Sequence, residues 1–359
     1  MGRVSETVSR AELYYFSGTG NTARAAELIA AELHAVGRAA TLHCVGRDAT
    51  RQAHQVTGGE GDVLRVFLFP IYACGIPALF TRFLRSLPRA DGVRAAVVCT
   101  MGDAISYDKK GRRHHVPGFA GHALLEAARI LRRRGYDVLQ IGACSYPLNW
   151  TQAVEAPELQ IAAEVRKIGD GQATDIGMRI AAGERCIRPF SKAHTLWTIP
   201  FDRLFRVFGR VALGKLYVAD SDCTACGRCV SECPARAVRL HGKQPRWGWS
   251  CQACQHCINT CPRNAIQTSW LRVIAEAIHS LIPIPFLVWR LGPHPYVPVR
   301  PVLLEVLFWL AAFAAFTWLL DEVIWLLGLI PGVKRLVEWN FTKRFRRYLE
   351  PHFSTTTQR

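Results

Sequence analysis

Eight of the thirteen cysteines fall into two copies of one pattern. These are Cys223-x2-Cys226-x2-Cys229-x3-Cys233-Pro234 and Cys251-x2-Cys254-x2-Cys257-x3-Cys261-Pro262. The second copy follows the first at an offset of 28, and the repeat runs beyond the cysteines, since Ala237-Val238 falls on Ala265-Ile266. Three thiolates spaced two residues apart can grip three irons of one cubane from a single tight loop. The fourth, followed by proline, leaves in another direction and reaches the other cubane. This assigns one [4Fe-4S] cluster to Cys223, Cys226, Cys229 and Cys261, and a second to Cys251, Cys254, Cys257 and Cys233. Zinc sites normally use two separated Cys pairs rather than a run of four. The chemistry expected here is the movement of single electrons.

A second stretch suited to chemistry is Ser17-Gly18-Thr19-Gly20-Asn21-Thr22. It follows a short apolar run of strand composition at 11–16 and precedes an alanine-rich helical stretch from 23 to about 35. Glycines let the backbone approach a phosphate at the helix N-terminus, and Ser17, Thr19, Asn21 and Thr22 add side-chain donors. The Walker lysine is absent, and Ala23 stands where G-x-G-x-x-G needs its third glycine.

Around these stretches the pattern alternates strand and helix. Strands are expected at 40–45, 63–69, 93–99 and 138–143. Helices are expected at 78–87, 118–134 and 157–182, the last broken at Gly169-Asp170-Gly171. With 11–16 this gives an α/β domain with five parallel strands over residues 11–185. A connecting segment at 186–215 has a helical middle at about 201–211, whose Leu204, Phe205, Val207 and Phe208 lie against a domain or a membrane. A small α+β domain at 216–268 holds the cysteine repeat, with Trp247 and Trp249 expected to shield a cluster from water.

The cysteine segment resembles the bacterial two-cluster ferredoxins. The hydroxyl-rich loop without lysine resembles the flavodoxin family, which implies FMN as cofactor and the strand order 2-1-3-4-5, with the flavin at the switch point. The resemblance places Ser17, Gly18, Thr19, Gly20, Asn21 and Thr22 on the FMN phosphate. Tyr72 is then placed to stack on the isoalloxazine, with Gly75 allowing close backbone approach. Thr100, Met101 and Gly102, with Asp103, form the second flavin loop. The segment Tyr146-Pro147-Leu148-Asn149-Trp150 lies at the same edge. Lys109-Lys110-Gly111-Arg112-Arg113-His114-His115 reads either as a solvated loop or as a docking patch for an acidic partner or dinucleotide phosphates.

The net charge of +17 over 359 residues suits an acidic protein partner or an anionic membrane face. Nucleic acid is excluded as a partner, because no groove-reading motif appears and the arginines are spread along the chain. Cys44, Cys74, Cys99, Cys144 and Cys186 stand singly in apolar surroundings and read as buried free thiols in a reducing compartment. No secretory signal is recognisable at the N-terminus.

The region 269–359 is apolar and helical. An amphipathic helix at 270–281 is followed by a proline-rich segment at 283–301 and an apolar run at 303–320 holding only Glu305. After Asp321-Glu322 a second run continues to 330. One run barely reaches the length of a span. A shallow hairpin or monotopic helix instead keeps the basic tail (Lys334, Arg335, Lys343, Arg344, Arg346, Arg347) on anionic lipid at the cytoplasmic side. Packing on the cluster domain is the other reading.

Over residues 11 to about 268 the chain resembles flavodoxin–ferredoxin fusion proteins. The resemblance implies an electron carrier that feeds a partner redox enzyme. The reduced thiols place it in the cytoplasm, and the apolar C-terminal region, which departs from the simplest fusions, attaches it to the inner face of the membrane. The rival reading is a reductase acting on a small substrate at the FMN face, with Tyr72, Met101 and the 109–115 loop lining its pocket. A third makes the first domain a docking scaffold without flavin. No nucleophile motif or paired acid/base carboxylates stand out, so no catalytic residue is assigned.

Overall fold

The computed structural model describes residues 9–57, 63–107, 113–116, 118–187, 197–281 and 302–353. The first half builds β1 (Arg10–Tyr15), α1 (Asn21–Ala35), β2 (Ala39–Cys44), α2 (Ala49–Gln55), β3 (Val63–Pro70), α3 (Ala78–Ser86), β4 (Arg94–Tyr107), β5 (Arg113–Val116), α4 (Ala123–Arg133), β6 (Asp137–Pro147) and α5 (Leu159–Ala181). The five parallel strands lie in the order β2-β1-β3-β4-β6, which is the expected 2-1-3-4-5. The central strand β3 is apolar nearly throughout because helices cover both of its faces, leaving all but its last residue buried. One core lies on each side of the sheet. Phe67, Phe69, Phe80 and Phe83 pack on one, and Leu13, Ile29, Leu33 and Val66 on the other.

Three expectations needed correction. The segment Thr100–Asp103 is no loop: β4 runs on through it, paired to β6 as far as Asp103↔Pro147. Beyond that point β4 turns back as an antiparallel ribbon with β5, so the sheet has six strands. Of the expected docking patch, Arg113–His115 belong to β5, and 109–112 lie outside the described residues. The third correction is α5, which is unbroken through Gly169-Asp170-Gly171. A Cβ at Gly169 would overlap the Ser145 carbonyl oxygen, and Asp170 takes hydrogen bonds from Arg24 (2.7 Å) and the Tyr146 hydroxyl (3.1 Å). Close helix–sheet packing therefore overrides the low helix propensity of glycine.

The connecting segment forms one bent rod, α6 (Thr198–Leu204), a π-turn (Phe205–Gly209) and α7 (Arg210–Lys215). The cysteine domain follows, with β7 (Tyr217–Ala219), α8 (Arg228–Ser231), β8 (Val238–His241), β9 (Gln244–Trp247), α9 (His256–Thr260) and β10 (Ile266–Thr268). β7 pairs with β10, and β8 with β9, both antiparallel. The sequence repeat is also a repeat of backbone shape. Positive φ occurs at Ala225 and Ala253, at Gly227 and Gln255, and at Arg236 and Asn264, always at the same offset. These left-handed positions fold each short Cys run into a tight loop.

The C-terminal region contains α10 (Trp270–Leu281), α11 (Val302–Leu327) and α12 (Pro331–Glu338). The apolar runs on either side of Asp321-Glu322 are one helix, not two. The expected proline-rich segment lies outside the described residues, apart from its neighbour Leu281. One face of α11 lies on the cysteine domain. There Asp321 pairs with Lys215 (2.7 Å), Arg272 (2.7 Å) and Arg246 (3.0 Å). Ile324 packs with Val218 and Val337 in a small buried core.

Candidate redox site

The loop between β1 and α1 sits at the carboxyl ends of the strands. Ser17 Oγ accepts a hydrogen bond from the Gly20 amide (3.1 Å), and Gly20 has φ of 105°, which glycine adopts without strain. α1 begins with no side-chain cap and no acidic residue in its first turn, so its N-terminal amides are left for an anion. Thr22 Oγ1 and Thr100 Oγ1 lie 2.7 Å apart, and Asn21 Nδ2 donates to the Pro147 carbonyl (3.3 Å). Asn149 donates to the Thr19 hydroxyl. One cleft is lined by Ser17, Gly18, Thr19, Asn21, Thr22, Tyr72, Thr100, Met101, Gly102 and Asn149. This donor set, with no carboxylate among the lining residues, fits the phosphate of a flavin nucleotide.

Gly75 is not part of that lining. A Cβ there would overlap the carboxylate of Asp202, which α6 drives against the 72–75 turn. The close approach at Gly75 is thus made by the connecting rod. The turn is held by reciprocal backbone hydrogen bonds between Tyr72 and Gly75 (3.1 and 3.0 Å), with Ala73 and Cys74 at positive φ. The Tyr72 ring meets Phe16 edge-on at 6.4 Å.

Asp202 belongs to a buried cluster with His122, Glu126 and Arg206. His122 Nε2 lies 3.2 Å from Asp202 and 3.4 Å from Glu126, while Arg206 donates to both carboxylates and to Thr81 Oγ1 (3.0 Å). Three of these groups are of metal-ligating type, but Arg206 and Arg203 (3.0 Å from Glu126) already pair with the two carboxylates, so the cluster is an ion-pair clamp. Burial works against the imidazolium, yet the adjacent Asp202 and Glu126 carboxylates outweigh it and raise His122 above its ordinary 6.5. A raised folded-state pKa contributes stability that is complete below the unfolded value and lost as pH rises through the folded one. The melting temperature is therefore expected to fall as pH rises above 6.5, and His122→Asn should flatten that slope. An unchanged slope in the variant would remove His122 from the clamp.

The cysteine domain gathers its eight sulfurs into two pockets. Cys223, Cys226, Cys229 and Cys261 line one, and Cys233, Cys251, Cys254 and Cys257 line the other. These are the two sets expected from the spacing, fourth cysteines exchanged. Burial and neighbouring sulfurs push Cys229 up to about 12, and burial pushes Cys251 up to about 11. Four thiolates can share such a pocket only around bound metal. Backbone amides donate to the fourth sulfurs in matching places, Ala237 to Cys233 (3.2 Å) and Ala265 to Cys261 (3.3 Å). Trp247 is buried and donates its indole N–H to Cys257 Sγ (3.3 Å). Trp249 does not shield a sulfur pocket as expected: it is 42% exposed.

The two sites touch. A Cβ at Gly18 would overlap the Cys254 carbonyl oxygen, and His256 Nδ1 lies 2.7 Å from the Gly18 carbonyl. Cys254 packs against the same core as Ile71 and Tyr72. Gly18 is thus required by the neighbouring domain as much as by any ligand. Cys226 is the exposed cysteine of the other sulfur set.

A further element over the loop is the C-terminal segment, whose basic residues were expected on lipid. Tyr348 donates to Asn21 Oδ1 (2.7 Å), the Glu350 amide donates to the Thr19 carbonyl (2.9 Å), and a Cβ at Gly20 would meet Glu350 and Phe353. Lys343 binds Asp220 (2.7 Å) and Asp222 (2.5 Å), Arg346 binds Glu155 (3.5 Å), and Arg347 reaches Asn264 (2.7 Å) and Gln267 (2.9 Å). Three cations of the tail expected on lipid are therefore engaged by the protein itself. No local signal marks this, because each partner is more than seventy residues away in the chain.

Residues 215–262 match the family of 4Fe-4S dicluster domains. Comparison with curated protein sequences gives no match. Among solved structures, an archaeal flavodoxin is similar at 15% identity, covering 46% of this chain and 98% of its own, with a TM-score of 0.27. A flavodoxin of Streptococcus pneumonia TIGR4 is similar at 15% identity over 46% of this chain and 99% of that one, with a TM-score of 0.29. The flavodiiron protein of Giardia intestinalis is similar at 15% identity over 49% of this chain but only 37% of that one, with a TM-score of 0.32. The strand order of the first half and the dicluster match of the second make this chain a flavodoxin-like domain fused to a 4Fe-4S ferredoxin domain.

Proposed function

We propose that the chain is an electron conduit between FMN in the cleft, two [4Fe-4S] clusters, and an acidic redox partner protein that docks beside Cys226. FMN exchanges electrons singly or in pairs, whereas each cluster passes one at a time. The observation that carries the reading is the contact between Gly18 and Cys254. It sets the second sulfur set against the cleft, while the first set faces outward. His256 bridges the two loops, and Trp247 keeps water from Cys257. Arg228 and Arg263, both exposed beside the first sulfur set, offer the positive rim that an acidic partner would meet.

The same reading attaches the chain to the cytoplasmic face of a membrane by α11 lying flat. The stretch Leu307–Leu327 is long and apolar enough to cross a bilayer, and only 17% of its most apolar window is buried. Phe316, Leu319, Val323 and Leu326 form a stripe on one face and are each at least 43% exposed. On α10, Ile274, Ile278 and Leu281 form another exposed stripe. Asp321 holds the opposite face of α11 to the body of the protein, an arrangement suited to a helix on a membrane surface rather than through it.

The test is an anaerobic reductive titration of the purified, cluster-reconstituted protein, followed by absorbance and electron paramagnetic resonance. Resolved flavin bands, a bleaching iron–sulfur band and two interacting cluster signals are expected. Iron–sulfur bleaching with no flavin, even after FMN is added, would overturn the conduit.

A further inference from the structure

The β8–β9 hairpin and α11 line a groove of about 460 Å³ that is separate from the cleft and shares only Ala237 and Trp247 with a sulfur pocket. Strand alternation sorts its wall. Arg239 and His241 stand on one face of β8, towards the groove, while Leu240 faces the first sulfur set. Arg239 is directly opposite Arg246 in the β8–β9 register. Like charges placed directly across a ribbon repel each other. Arg246 is compensated by Asp321 (3.0 Å) and Glu322 (2.9 Å) and lies over the Trp325 ring at 4.5 Å. Arg239 has no ion pair among the described residues. The uncompensated charge of Arg239 therefore faces the groove with His241, beside Lys215 paired to Asp321 (2.7 Å), Arg236 paired to Asp48 (2.9 Å), and the Glu322 carboxylate, which Arg246 occupies.

The remaining wall is aromatic. Trp249 and Trp318 are 42% and 51% exposed at its mouth, and Trp318 belongs to α11 beside the apolar stripe. A cationic pocket rimmed by half-exposed indoles, on the flank of an outward apolar helix, matches the level at which a lipid changes from acyl chain to phosphate.

We propose that this groove binds the phosphate of an anionic lipid headgroup, with the acyl chains running along the α11 stripe. The proposal rests on the membrane reading above. It places the lipid-facing positive charge on the hairpin, not on the tail, whose Lys343, Arg346 and Arg347 are engaged elsewhere.

The experiment is co-sedimentation of the cluster-loaded full chain with two kinds of vesicle, phosphatidylcholine alone and phosphatidylcholine containing phosphatidylglycerol. Arg239→Ala should weaken partition onto the anionic vesicles about fivefold and leave binding to neutral vesicles unchanged. His241→Ala is a second groove variant, and Arg228→Ala, on the sulfur-loop side, is the control; iron–sulfur absorbance reports that each variant is folded. Equal losses for Arg239→Ala and Arg228→Ala would show a diffuse positive field and overturn the groove. Equal binding of the native chain to both vesicles would also overturn it while leaving membrane attachment standing. Failure to bind either vesicle would sink both. Displacement by dissolved glycerol phosphate as effectively as by added anionic vesicles would overturn the lipid as the source of the phosphate.

Discussion

Cys254→Ser should abolish electron passage between the flavin and the Cys226 set, whereas Cys226→Ser should spare exchange between the flavin and the Cys254 set. The asymmetry follows from the contact of Gly18 with the Cys254 carbonyl, since only the Cys254 set lies against the cleft. Both variants are expected to lose about half of the cluster iron, so iron content alone does not separate them. Stopped-flow absorbance after flash reduction does separate them, because flavin and cluster bands are followed together. Gly18→Val offers a test that leaves every cysteine in place. Its side chain would collide with backbone, and overpacking of this kind costs about 1–3 kcal/mol. The variant should retain iron and lose coupling. Equal behaviour of Cys254→Ser and Cys226→Ser would refute this order of sites.

Asp321→Ala should be the most destabilising single change in the C-terminal region. It leaves Lys215, Arg246 and Arg272 beside one another with their shared carboxylate gone, and the first and last are largely buried. Removing one partner from a buried ion pair costs about 3–5 kcal/mol, because the remaining charge stays desolvated. Glu322→Ala is the control. Its carboxylate pairs with Arg246 but is one-third exposed, so a loss of about 0–1 kcal/mol is expected. Urea unfolding measures both, and limited proteolysis should cut α11 faster in Asp321→Ala only. Similar losses in the two variants would mean that α11 is held by apolar contact and not by this charge.

The physical reasons for what was readable and what was not are visible in particular residues. The cysteine repeat and the Ser17–Thr22 loop were legible because their chemistry depends on spacing within a few residues. The parallel strands followed from alternating strand and helix patterns, since parallel strands need crossover helices, whereas their order came from the flavodoxin resemblance. The break assigned to Gly169-Asp170-Gly171 failed because propensity is local, whereas the Ser145 carbonyl against Gly169 is a tertiary contact. Nothing in the composition of Thr100–Asp103 reveals that β6 extends alongside it, which makes a strand of the expected loop.

The sequence by itself determined the cysteine repeat, its division into two sulfur sets, and an alternation of parallel strands and helices, because each is written in short-range spacing or periodicity. Tertiary structure alone decided which sulfur set meets the cleft, that Gly75 yields to Asp202, that the 341–353 segment covers the Ser17–Thr22 loop, and that Asp321 pins an apolar helix to the cysteine domain. Each of these joins residues far apart in the chain, where the outcome is set by shape and by the cost of leaving a buried charge unpaired.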